Sequence, residues 1–240
     1  MAFQTTPALY GLGFPAKRLG DLAAASGLQL WQPEAPKADP PNHSVVLLLG
    51  HAWENKIKTF WTSPYTAWIE VAALSDQTIL DLIRQALNTG LYVSFTTVTA
   101  NELDLTGEVL EAINQRCPLT QDSHDNIELA LHEALSNALL HGNLQMNGLD
   151  SLRIDALERF SLDLKGRITN PDLANRRVDV VCAFEDDAVV IDVIDQGAGF
   201  VFKQAIEPKA SGRGFSLIEA SCQSFRLLEG GRRVSMRFPL

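Results

Sequence analysis

The sequence predicts an α/β protein in two parts, a parallel α/β layer over residues 1–98 and a second α/β layer over residues 99–240. Three observations predict it. Short apolar runs alternate with helical stretches in the first hundred residues, as in βα units that feed a parallel sheet. The run Ser44-Val-Val-Leu-Leu-Leu-Gly50 is apolar without alternation, as strands buried on both faces are. After residue 100 the order changes to helices first, then two strongly β-forming runs and a terminal hairpin.

Taken in order, residues 8–13 are a short apolar strand. A helical pattern through Leu19, Leu22 and Ala23 follows and stops at Gly27. Residues 28–31 are a second strand. Pro33, Pro36, Pro40 and Pro41 make residues 32–43 an irregular loop. Residues 44–50 are the third strand, 52–61 a helix, 68–74 a strand, 76–88 a helix stopped by Gly90, and 91–97 the fifth strand. In the second part a helix over 103–116 ends at Pro118. A longer helix spans 121–141, with Ile127, Ala130, Leu131, Ala134, Leu135 and Ala138 on its apolar side. A weaker helical stretch covers 152–164, before Asn170-Pro171. Strands follow at 177–184 and 188–194, then a helix at 215–222. A hairpin joins 224–228 to 232–238 through Glu229-Gly230-Gly231.

Composition narrows the function. The 240 residues are 46% hydrophobic and 20% charged, which suits a folded globular chain and excludes wholesale disorder. The net charge is −9, so a general nucleic-acid binder, which needs a basic face, is not expected. Most of the negative charge lies in the second part: Lys and Arg against Asp and Glu run 6 to 7 in residues 1–100 and 14 to 22 in residues 101–240. Cys117, Cys182 and Cys222 are too far apart to suggest a disulfide framework or a metal site. No apolar run approaches the roughly 20 residues of a membrane span, and the first residues lack the pattern of a secretory leader. A cytoplasmic location is the expectation, with no membrane partner.

Three motifs in the second part carry chemistry. The first is Glu133-Ala-Leu-Ser-Asn137-Ala-Leu-Leu-His141-Gly142-Asn143. Glu133, Asn137 and His141 are spaced i, i+4, i+8 and share one helix face, which suits a cleft better than a core. The amide oxygen of Asn137 suits Mg²⁺, and a carboxylate one turn earlier can deprotonate an attacking hydroxyl. The second is Val193-Ile-Asp195-Gln-Gly197-Ala-Gly199-Phe200. It places a carboxylate at a strand end, ready to accept from an amino group, beside glycines that let a ligand approach. The third is Ser211-Gly212-Arg213-Gly214-Phe215, glycines leading into a helix whose first N–H groups form an anion site. Lys203, Lys209 and Arg213 against Glu207 make that neighbourhood locally basic.

In their order and spacing these motifs resemble the GHKL ATP-binding superfamily over residues 100–240. The first motif corresponds to its N-box and the other two to its glycine boxes. The stretch Ile127-Glu-Leu-Ala-Leu-His-Glu-Ala-Leu-Ser-Asn-Ala-Leu-Leu-His-Gly-Asn143, with the short interval between Gly199 and Gly212, resembles most the branch of anti-sigma-factor serine/threonine kinases. The resemblance implies a Bergerat-type α/β sandwich that binds ATP with Mg²⁺. It implies Mg²⁺ on Asn137, Glu133 as the base that activates a partner's hydroxyl, and Asp195 as acceptor for the adenine amino group. Gly197 and Gly199 shape the adenine side, Gly212, Arg213 and Gly214 hold phosphates, and His141, Gly142 and Phe200 complete the nucleotide-binding set. The implied partner is a protein (an anti-anti-sigma protein, a sigma factor or a similar regulator), and a homodimer stays open. Residues 144–176 exceed what that branch needs.

Residues 6–98 resemble a receiver domain in pattern only. The acidic residues after the first strand, the aspartate acceptor after the third and the lysine after the fifth are missing, since these strands run into Gly11-Leu-Gly13, Gly50-His51 and Thr96-Thr-Val-Thr. A degenerate receiver used for contacts is the expectation. The alternative for the whole chain is a non-catalytic binding or adaptor protein, gated by nucleotide or free of it. Autophosphorylation at His132 is disfavoured because His132 lies inside the N-box helix, with no separate pair of dimerising helices before it. A dinucleotide enzyme is disfavoured because Gly11-Leu-Gly13-Phe-Pro lacks the third glycine.

Overall fold

A computed structural model describes residues 7–31, 44–50, 60–71, 74–148, 153–200 and 213–240. The chain divides into two compact units, Met1–Ser94 with Glu111–Arg116, and Phe95–Leu110 with Cys117–Leu240.

The front unit is built on the strands β1 (Ala8–Leu12), β2 (Gln29–Leu30), β3 (Val45–Leu49), β4 (Tyr65–Glu70) and β5 (Leu91–Thr96). They pair in parallel in the order β2-β1-β3-β4-β5, the order of a flavodoxin-like sheet. All five residues of β3 are buried, as its unbroken apolar run requires. Helix α1 (Ala16–Ser26) ends where expected, because Gly27 takes the left-handed conformation (φ 70°) that closes a helix. Helix α2 (Asp76–Leu87) starts at Ser75, whose side chain accepts from the Thr78 N–H, and buries Ile79, Ile83 and Ala86.

Two expectations need correction here. The fourth strand starts at Tyr65, not at 68, because its register on β3 runs from Val45↔Tyr65 to Leu49↔Glu70. Pairing, rather than the apolar run after Trp68, sets its ends. Residues 60 and 61, expected to finish a helix, lie in a stretch of bends and a turn over 60–64, in which Trp61 stacks on Trp68 at 4.6 Å. The start of that expected helix and the proline-rich loop lie outside the described residues.

The rear unit places α5 (Gln121–Ser136) against four antiparallel strands in the order β6-β7-β9-β8: β6 (Arg177–Phe184), β7 (Ala188–Asp195), β8 (Ser224–Leu228) and β9 (Arg233–Pro239). Ile127, Ala130, Leu131, Ala134 and Leu135 of α5 are buried, and so are the alternate residues Val178, Val180 and Cys182 of β6 and Val189, Ile191 and Val193 of β7. The order of elements is α3 (Thr97–Glu102), α4 (Leu105–Arg116), α5, then α6 (Ile154–Ile168), α7 (Pro171–Ala174) and, after β7, α8 (Arg213–Ser221). The short helices α3 and α7 were not expected. Each is a capped turn: Thr96 accepts from the Thr99 N–H, and Asn170 accepts from the Asp172 N–H with Pro171 opening the helix. The mixed α/β architecture agrees with the fold class expected of both parts. Among the described residues no helix is long and apolar enough to cross a membrane.

Candidate functional site

The N-box helix does not run straight to His141. It is α-helical to Ser136 and π-helical over Asn137–Asn143, with Leu144 N–H donating to Leu139 O at 2.9 Å. A turn that closes i→i+5 makes a four-residue step fall just short of a full turn instead of slightly past it. Within this segment His141 is exposed, while Asn143 is buried in the core. Ring nitrogen Nδ1 of His141 pairs with Met146 O at 2.8 Å and holds the exit of the segment.

Asn143 explains why the wide turn forms. It is fully buried, and its amide Nδ2 donates to Thr97 Oγ1 and to Arg177 O, both at 2.9 Å. Its Oδ1 accepts from the Gln196 N–H at 2.8 Å, and its own carbonyl accepts from Arg176 at 2.8 Å. Gln196 in turn accepts the Arg177 N–H at 2.9 Å. A buried amide with every bond made rewards the backbone distortion that brings it there. Asn143, Gln196, Arg176 and Thr97 are site-building residues that the sequence reading passed over. Asn143 and Gln196 stood inside the quoted motifs, but nothing in the sequence says that they meet.

The second motif packs directly on the first. Asp195 ends β7, and its N–H donates to Arg232 O at 2.9 Å. Its Oδ1 accepts from the Gly197 N–H at 2.7 Å. A Cβ on Gly142 would lie 2.5 Å from the Asp195 Cγ, and a Cβ on Gly197 would lie 2.3 Å from Gly142 O. Glycine on each side therefore lets the two motifs touch, Gly142 against the Asp195 carboxylate and Gly197 against the Gly142 peptide. Burial pushes the Asp195 carboxyl above its ordinary range. The Gly197 N–H and the Arg232 and Arg176 guanidiniums pull it part of the way back.

The third motif meets the first from the other side. Arg213 opens α8, and a Cβ on Gly214 would lie 2.7 Å from Glu133 Oε2 and 3.2 Å from Asn137 Nδ2. The helix start thus sits over the carboxylate and the amide of the N-box. Asn137 Nδ2 is buried with no hydrogen-bond partner among the described residues. An amide can turn over to offer its oxygen instead. A hard cation takes one or two protein oxygens and completes its shell with phosphate oxygens. An unpartnered buried amide one turn from a carboxylate fits Mg²⁺. Gly212 and the side chain of Arg213 lie outside the described residues. Gly199 takes φ 83° and packs on Gly230 O, while Phe200, half exposed, stacks on Phe215 at 5.2 Å with its rings 13° apart.

Of the residues singled out in the sequence, Glu133, Asn137 and Gly214 form one cluster. Gly142, Asp195 and Gly197 form another, and the helix from 133 to 142 joins them. A family model described as a histidine kinase-like ATPase domain matches residues 96–238. No curated protein matches the chain.

Proposed function

Because this chain belongs to the family of histidine kinase-like ATPase domains, we propose that it binds MgATP in the rear unit and passes the γ-phosphoryl to a serine or threonine of a partner protein, as an anti-sigma-factor type kinase in partner-switching signalling. The observation that carries this reading is the convergence of Glu133 and Asn137 on the start of α8. Phosphoryl transfer asks a protein mainly for positioning and charge neutralisation. Asp195 accepts from the adenine amino group, with its second oxygen tied to the Gly197 N–H. Asn137 is the residue that would hold Mg²⁺, which when bound neutralises charge on the phosphates. Backbone N–H groups at the start of α8 face the same place. Glu133 takes the proton of the partner's hydroxyl as its oxygen bonds to the γ-phosphorus and the bond to the β–γ bridging oxygen breaks. The front unit supplies no phosphoryl chemistry in this reading. Its parallel sheet in flavodoxin-like order supports a degenerate receiver that makes contacts.

Calorimetric titration of MgATP tests the pocket. The wild type is expected to bind saturably and only with Mg²⁺, and Asp195→Ala to lose binding. Radiolabel transfer to proteins of the STAS-type anti-anti-sigma fold tests the kinase step. Glu133→Ala should keep nucleotide binding and lose transfer. A folded wild type that binds no nucleotide overturns the reading.

A further inference from the structure

Helix α8 rests on few side chains. Among its described residues Ile218 is the one that is buried. A helix held at a single point can pivot about it. Phe215 lies three residues earlier on the same face and supplies a second point. Its ring stacks on that of Phe200 at 5.2 Å with the planes 13° apart, and it meets Phe225 of β8 at 6.1 Å. Phe200 is half exposed, so the stack rather than burial holds its ring. Its backbone is held separately. The Phe200 N–H donates to Gly230 O at 3.0 Å, and a Cβ on Gly231 would run into the Phe200 carbonyl. The turn Glu229–Gly231 of the terminal hairpin thus fixes Phe200, and Phe200 fixes the first turn of α8.

The residue beside Phe215 is Gly214, which faces Glu133 Oε2 and Asn137 Nδ2. A rotation of the start of α8 would carry its first N–H groups away from that carboxylate and amide. Asp195 is held by other bonds: it ends β7, its N–H donates to Arg232 O, and its Oδ1 accepts from the Gly197 N–H. The aromatic pair therefore bears on the phosphate side of the site and not on the adenine side. We propose that Phe200 and Phe215 are positioning residues, which through their stack aim the start of α8 at the phosphates of the bound nucleotide. This rests on the reading of the rear unit as an MgATP pocket. The strength of one stacked pair corresponds to about a tenfold change in how often the helix is so aimed.

Calorimetric titration of the full chain with MgATP and with adenosine, which lacks phosphates, tests this. Phe215→Ala should weaken MgATP binding about tenfold and leave adenosine binding unchanged. Phe200→Ala removes the same stack from its exposed side and should show the same split. The double variant should be little worse than either single one, because both changes delete one interaction. Phe215→Tyr keeps a ring to stack and should bind MgATP as the wild type does. The circular dichroism spectrum should be unchanged in all four. Asp195→Ala should differ by losing both ligands. The proposal is overturned if the alanine variants weaken MgATP and adenosine by the same factor, or if their losses add. It is overturned as well if either alanine variant binds MgATP as the wild type does. In each of these cases MgATP binding by the wild type leaves the functional reading standing. A wild type that binds neither ligand overturns both.

Discussion

Asp195 carries a cost that its site imposes. Burial holds its carboxyl above the ordinary range, so the native state binds that proton more tightly than the unfolded chain does. Stability therefore falls as pH rises from the ordinary carboxylate value through the raised one, and the loss is complete above it. Asp195→Asn removes the charge and keeps an oxygen for the Gly197 N–H. Its unfolding midpoint at neutral pH is expected to equal or exceed that of the wild type. Its MgATP affinity should nevertheless fall about tenfold or more, because an NH₂ then faces the adenine amino group, donor against donor. Gly214→Ala tests the other cluster. The added methyl would press on Glu133 Oε2 and Asn137 Nδ2, the ends of side chains that can turn aside. Little change in denaturant unfolding is therefore expected, while the displaced carboxylate and amide should weaken the Mg²⁺ dependence of binding.

At the scale of elements, the π-helical segment and its Asn143 anchor decide where the motifs meet. Asn143→Ala leaves the Gln196 N–H without its partner inside the core, while Thr97 Oγ1 keeps its bond to Arg176 O. The expected cost is about 2–3 kcal/mol, read as a fall in thermal midpoint, with nucleotide affinity falling too because Gln196 precedes Gly197. The sequence made the N-box legible as a helical stripe, since Glu133, Asn137 and His141 are polar on an apolar helix. It could not show the change of winding at Asn137, which depends on bonds to Thr97, Arg177 and Gln196, residues distant along the chain. The same limit explains the fourth strand. Its apolar run pointed to residue 68, while its register on β3 begins it at Tyr65. Helix α3 was hidden for a different reason: Thr97-Val-Thr reads as strand, and the cap at Thr96 overrides that preference.

For the whole molecule, saturating MgATP at about 100 times its dissociation constant adds roughly 2.7 kcal/mol to the stability of the folded chain. Scanning calorimetry is then expected to show a melting midpoint that MgATP raises and Asn143→Ala lowers. A small phosphodonor with Mg²⁺ should leave the mass of the chain unchanged, since Gly50 and His51, and no aspartate, directly follow β3 in the sequence.

The contact between Gly142 and Gly197 also bears on how this protein can change over generations. Any side chain at Gly142 runs into Asp195, and any at Gly197 runs into the Gly142 peptide. No single substitution at either position leaves the neighbour where it stands, and no pair of substitutions makes room for both. That wall of the cleft is closed to stepwise drift, so new ligand preferences would have to arise elsewhere around it.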